Sequence, residues 1–151
     1  MTLSDQSKNI INLSRKSETS FTLIYIYPKD MTPGCTQQGQ DFSELFETYL
    51  ELDVEVIGAS KDNEASHKRF KAEYLFKHNL ISDVDLSLIN ELGAYGEKNN
   101  YGKITKGVIR STFLLDKDLN VIKSWKNVRA KGHAEKILRE LPVILKTSEY
   151  N

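Results

Sequence analysis

The chain has 151 residues, a length that fits one domain, residues 1–151, with a single sizeable core. Its 21 Lys plus Arg balance 21 Asp plus Glu, so no net charge favours nucleic acid or an anionic membrane. The single cysteine excludes an internally disulfide-stapled secreted domain. The first eight residues lack the apolar core of a signal peptide, and no apolar run reaches the length of a membrane span. These features predict a cytoplasmic protein whose thiol is reduced.

Residues 1–20 are polar, with Ile10, Ile11 and Leu13 as their aliphatic cluster, and predict a short edge strand or hairpin. Phe21 to Tyr27 is apolar, β-branched and aromatic, and predicts a central strand buried on both faces. Pro28 ends it, because proline cannot donate to the ladder. Thr32 then offers an N-cap and Pro33 falls at the first helical position, where its missing N–H costs nothing. Phe42, Leu45, Phe46, Tyr49 and Leu50 continue this helix at apolar 3.6-residue spacing to about residues 51–53.

Val54 to Ser60 predicts a second buried strand. Asp62 or Asn63 caps the next helix, with Ala65, Phe70 and Tyr74 inward. Leu80 and Ile81 mark a short strand, and Asp83 or Asp85 opens a short helix carrying Leu86, Ile89 and Leu92. Gly93 to Gly107 reads as a loop and carries no phosphate-cradling glycine pattern. Val108–Leu115 and Asn120–Trp125 predict a hairpin. A last helix starts near Gly132 or His133, presents Ala134, Ile137, Leu138 and Leu141, and ends or kinks at Pro142. This order of elements predicts an α/β sandwich with a mixed sheet.

The chemistry concentrates in Pro28-Lys-Asp-Met-Thr-Pro-Gly-Cys35. A cysteine in the first turn of a helix lies near unpaired N–H groups and the positive end of the helix dipole. Both favour the thiolate, which is the nucleophilic form. If Thr32 is the N-cap, its oxygen can accept from the Cys35 N–H while its hydroxyl proton points at the sulfur, a second aid to the thiolate. The plain alternative is a cysteine that is only a small buried apolar side chain. For Arg110, in an apolar strand, the plain alternative is a structural ion pair, since a buried guanidinium needs an anion.

Tyr27 to Thr36 resembles the peroxiredoxin signature Pro-x-x-x-Thr-x-x-Cys, and more narrowly the bacterioferritin-comigratory-protein, or PrxQ, subfamily. Similar segments run along almost the whole chain: Val54–Ser60, Gly93 with Tyr95–Gly96, Arg110-Ser-Thr-Phe with Leu115, and Gly132-His-Ala-Glu135. The resemblance implies a thioredoxin-like fold, with a mixed central sheet flanked by helices. It also implies reduction of hydrogen peroxide and organic hydroperoxides without a cofactor. It makes Cys35 the peroxidatic cysteine and gives Thr32 a hydrogen bond to the sulfur and the incoming peroxide. Pro28 would shield the site, and Arg110 would hold the thiolate and polarise the peroxide. The peroxide site would be formed by Thr32, Gly34, Cys35, Gln38 and Arg110.

Many members of the subfamily carry a second cysteine five residues after the first, where this chain has Gln40. Others place it on a later helix, where this chain has none. The resemblance is therefore to a one-cysteine peroxiredoxin. Its sulfenic acid must meet an external thiol: glutathione, a thioredoxin, a glutaredoxin, or Cys35 of a second molecule. The predicted assembly is a monomer or weak homodimer. The family's N-terminal region normally extends ahead of Leu3-Ser-Asp-Gln6, so the chain reads as shortened there.

Two other functions compete with the peroxidase: a redox sensor signalling through Cys35 oxidation or a disulfide-linked dimer, and a monothiol thiol-transferase. His67, His78 and His133 are scattered without a second ligand at metal spacing and predict surface or capping roles, with no metal site. Trp125 predicts packing, and the basic stretch Lys123–Lys131 a solvated edge rather than a nucleic-acid patch.

Overall fold

The computed structural model describes residues 2–149. Its central sheet has the order β3-β2-β1-β6-β7, with β1 Phe21–Ile26, β2 Val54–Ser60, β3 Asn79–Ser82, β6 Ser111–Leu115 and β7 Val121–Trp125. β1, β2 and β3 are parallel, while β6 and β7 run antiparallel to their neighbours. The sheet is therefore mixed. Residues 95–107, expected to be a loop, form with Val108 a separate antiparallel ribbon of β4 Tyr95–Asn100 and β5 Lys103–Val108. The ribbon is polar and mostly exposed, so no buried stripe announced it in the sequence.

Strand pleating divides the apolar residues between two cores. Leu23, Tyr25 and Tyr27 face one side, with Phe42, Phe46 and Tyr49, then Phe70, then Ala134, Ile137 and Leu141 packed on them. These come from α2 Pro33–Glu44 and α3 Phe46–Glu51, from α4 Glu64–Tyr74, and from α6 His133–Glu149. Ile24 and Ile26 face the other side, with Ile11 of α1 Asp5–Ser14 and Leu88 and Ile89 of α5 Ser87–Glu91.

The structure corrects the expectations at several elements. The N-terminal segment is helical: Ser4 caps α1 by accepting from the Ser7 N–H, and Ile11 is fully buried. In place of the expected edge strand, the described residues ahead of β1 make a single isolated bridge, Thr2 to Asn120. The anchors of α1 are polar, because Glu91 accepts from the Ser4 and Ser7 hydroxyls at 2.9 Å each. The expected long helix breaks into α2 and α3 at Leu45, which takes φ −93° and ψ 3°. Asn63 caps α4, accepting from the Ser66 N–H at 2.9 Å, but Ala65 faces solvent. α6 runs through Pro142 to Glu149, held by Leu141 and Leu145, which are buried on either side of the proline.

All three histidines are buried, against the expected surface or capping roles. Burial, with Lys71 and Lys16 nearby, pushes His78 down to about 3, so it stays neutral and pairs with the Tyr25 hydroxyl at 2.6 Å. Burial, with Lys136 and Arg110 nearby, lowers His133 to about 4 against a weaker pull from Glu140, and its Nε2 meets Thr112 Oγ1 at 2.8 Å. Trp125 is buried as expected, and its indole N–H donates to Glu140 at 2.9 Å.

Candidate active site

The ends of two neighbouring strands deliver the site residues to one place. β1 pairs with β6 so that Ile26 lies opposite Ser111. The end of β1 and the start of β6 therefore lie side by side. Pro28 lies two residues past the end of β1, and the residue before β6 is Arg110, so the topology brings them together from 82 positions apart. Arg110 is not inside the apolar strand, as expected, but in the break between β5 and β6. Its carbonyl accepts from the Val128 N–H at 2.9 Å, and the Ile109 N–H donates to Ala94 at 2.7 Å. These bonds fix the break.

Cys35 is the third residue of α2 and is 2% exposed. Its sulfur accepts from Arg110 Nη2 at 3.2 Å. The guanidinium's Nη1 donates to Gln38 Oε1, one turn further along α2. Gln38 is fully buried, and its Nε2 has no hydrogen-bond partner among the described residues. A guanidinium turned on a sulfur at a helix start is not the setting of an inert core cysteine. Gly34 lies against the guanidinium: a Cβ there would meet Arg110 Nη2 at 3.4 Å, an ordinary van der Waals contact.

Thr32 stands at the N-cap in extended conformation, and its carbonyl accepts from the Thr36 N–H at 2.8 Å. Its side chain makes no cap hydrogen bond; the hydroxyl donates to the Lys29 carbonyl at 2.9 Å instead. The expected bond from the Cys35 N–H is absent, and the hydroxyl proton is committed away from the sulfur. The reason lies in the turn at Met31, whose left-handed φ of 66° folds the loop back so that Lys29 faces Thr32. Pro28 is half-buried and lines a cleft of about 560 Å³ together with Arg110.

Sequence reasoning missed the network that holds this loop. Asp30 is 4% exposed and accepts from the Tyr27 hydroxyl at 2.6 Å, the Ser66 hydroxyl at 2.7 Å and His67 Nδ1 at 2.7 Å. Its N–H donates to Asp62 at 2.9 Å, and the Ser60 hydroxyl donates to the same oxygen at 2.7 Å. His67 Nε2 lies 3.0 Å from the Ile81 carbonyl. Both ring nitrogens of His67 thus face oxygens, which fixes the ring against the loop. Burial alone would raise Asp30, but the His67, Tyr27 and Ser66 hydrogen bonds and the His67 charge hold it below the usual carboxylate value. Asp30, Asp62 and His67 place ligand-type atoms within 4.8 Å of one another, which corrects the expectation that no histidine has such neighbours. All three are engaged in the hydrogen bonds above.

Asp30→Ala is expected to cost about 3 kcal/mol of stability, the low end for removing one partner of a buried, hydrogen-bonded charge pair. Urea unfolding measures it. The wild-type advantage is fully present above about pH 4 and fades as pH falls further through the lowered Asp30 value. An unchanged unfolding midpoint at pH 7 would show that the network does not tether the loop.

The model of the AhpC/TSA family matches residues 1–124. Peroxiredoxin Bcp of Bacillus subtilis is 39% identical over 121 residues, 80% of this chain and 77% of its own length. Peroxiredoxin Bcp of Escherichia coli is 32% identical over 139 residues, 92% of this chain and 88% of its own. The solved bacterioferritin comigratory protein of Xanthomonas campestris, studied for its alkyl peroxide reduction activity, superimposes with a TM-score of 0.77 at 38% identity. That match covers 83% of this chain and 80% of the other.

The fold is therefore thioredoxin-like and the enzyme a thiol-dependent oxidoreductase. The chain belongs to the AhpC/TSA family, as a one-cysteine peroxiredoxin of the Bcp, or peroxiredoxin Q, type. Such enzymes take a peroxide as substrate and a thiol as reductant. No described helix is long and apolar enough to cross a membrane.

Proposed function

We propose that Cys35 is the peroxidatic nucleophile, reducing hydrogen peroxide and organic hydroperoxides within a single domain spanning residues 1–151. The observation that carries this is the Arg110 Nη2 bond to Cys35 Sγ at the start of α2. The thiolate attacks the terminal peroxide oxygen. A sulfur–oxygen bond forms, the oxygen–oxygen bond breaks, and the other oxygen leaves as hydroxide or alkoxide and takes up a proton. Sulfur is oxidised to sulfenic acid while the peroxide is reduced to water or an alcohol.

Charge shifts from sulfur to the departing oxygen, and the Arg110 guanidinium is placed to follow it without reorganising. Gln38 holds that guanidinium through Nη1, and its Nε2, which has no hydrogen-bond partner among the described residues, is the donor assigned to a peroxide oxygen. The Thr32 hydroxyl proton is spent on Lys29, so its oxygen can accept from the peroxide O–H. Thr32 thus orients the substrate rather than donating to sulfur. Pro28 and Gly34 bound the approach. Burial keeps the neighbouring Tyr25 hydroxyl neutral, and Cys35 and Asp30 add to that.

No second cysteine is available, so an external thiol attacks the sulfenic acid, releasing water and leaving a mixed disulfide. A second thiol displaces Cys35 and carries off the disulfide. Glutathione, a glutaredoxin, a thioredoxin or Cys35 of another copy fits this role, and the reducing cytoplasm supplies the first three. The protein acts as a monomer or weak homodimer.

A coupled assay comparing glutathione, glutaredoxin and thioredoxin tests this. Many peroxides consumed per chain are expected with at least one donor. A single turnover with every donor, followed by a stable oxidised state, would mark a redox sensor instead.

A further inference from the structure

The cleft beside Pro28 and Arg110 has a second feature, which the peroxide chemistry does not use. It is also lined by Lys98 of β4 and by Lys126 and Asn127, which follow β7. Three cations thus share one concave surface with a single carboxylate, Glu97. Among the described residues neither Lys98 nor Lys126 has a carboxylate within 4.0 Å. The Lys98 stem runs along Gly107 of the opposite strand, where a Cβ would meet its Cδ and Cε at 3.8 Å. The Lys126 ammonium lies over Gly93, 3.2 Å from where a Cβ would be. Burial, with Arg110 and Lys61 nearby, lowers Lys98 from the ordinary lysine value, against an opposing pull from Cys35. The cleft is therefore short of negative charge, next to a guanidinium that already touches the sulfur.

A cleft of about 560 Å³ is the size of a small-molecule site. Hydrogen peroxide needs none of it. An organic reactant with an acidic end does, because its reacting atom must reach Cys35 while the rest lies somewhere. We propose that this cleft binds the carboxylate of a small organic reactant, with Lys98 and Lys126 as the recognising cations. The proposal rests on Cys35 as the reacting atom. Two sources supply this chemistry: a hydroperoxide that is also a carboxylic acid, or a low-molecular-weight thiol that carries carboxylates, such as glutathione. Both make the same contact at different halves of the cycle.

Matched pairs separate them. A fatty-acid hydroperoxide is compared with its methyl ester in the oxidative half-reaction, and glutathione with its diethyl ester in the reductive half-reaction. Each is run with wild-type protein and with Lys98→Gln/Lys126→Gln. The readout is the rate ratio of acid to ester. In wild-type protein at low salt the acid is expected to lead by about tenfold in one pair, since two exposed ion pairs together approach that factor. The lead shrinks with added salt and vanishes in the double variant. The pair that responds names the source. Ratios that do not differ between wild-type and variant protein in either pair overturn the proposal, even if all rates fall together. Failure of the underlying peroxidase reading looks different: hydrogen peroxide then fails to oxidise the wild-type protein at all.

Discussion

Replacing Cys35 by serine is expected to reduce peroxide consumption to the background of protein-free buffer in an assay with excess thiol. The change is a single atom, small enough for the buried position to accept without collapse. It removes the only atom able to carry the oxidation, because sulfur can be raised to a sulfenic acid and returned by thiols whereas a serine oxygen cannot. Arg110, Gln38 and Thr32 stay in place, so the surrounding dipoles remain but have no nucleophile to act on. The serine protein should fold with a near wild-type circular dichroism spectrum. Peroxide consumption at the wild-type rate would refute Cys35 as the reacting residue.

The second large effect is at Arg110. Arg110→Ala is expected to slow the first oxidation of Cys35 by about 10²–10³, the scale for removing one preorganised donor from a charge-developing transition state. Stopped-flow mixing with hydrogen peroxide measures it directly, without any reductant. Arg110→Lys should recover only part of the rate. An ammonium can face the sulfur or Gln38, but it lacks the planar fork that reaches both at once. Full reactivity of the alanine variant would leave Arg110 a structural role only.

Much of the site was legible because it is local. Thr32, Pro33, Gly34 and Cys35 lie within four residues at a helix start, and N-terminal helix signals are read directly from residue type. Buried strands β1 and β2 were equally plain, β1 as an uncharged run rich in β-branched and aromatic residues and β2 through Val54, Val56 and Ile57. The Arg110 contact was available only through the resemblance, because it depends on β6 returning beside β1. The Asp30–His67 network was not legible at all. It joins a loop residue to a helix residue 37 positions away, and a lone histidine carries no periodic signal.

Two local misreadings also have physical causes. At Ile10, Ile11 and Leu13 only Ile11 is fully buried, so the cluster mixed an exposed residue into the pattern. The ribbon of β4 and β5 pairs its own polar strands, and alternation is erased where neither face is core. Thr32 failed for a different reason. Its N-cap position was right, but the left-handed turn at Met31 brings the Lys29 carbonyl within reach, and the hydroxyl donates there instead of capping the helix.

Gln40 carries one more consequence. It lies five residues after Cys35 on the unbroken helix α2. Five helical steps rotate a side chain about 140° and raise it about 7.5 Å. Two sulfurs so placed cannot meet within disulfide geometry unless the turn between them melts. An enzyme with cysteine at both positions must therefore unravel and rebuild part of this helix at every cycle. Here position 40 is Gln, so on the function proposed above, with Cys35 reduced from outside, no internal disulfide asks this of the helix. On that reading the protein gives up self-sufficiency and is freed from the one rearrangement that a second cysteine at position 40 would impose on its catalytic turn.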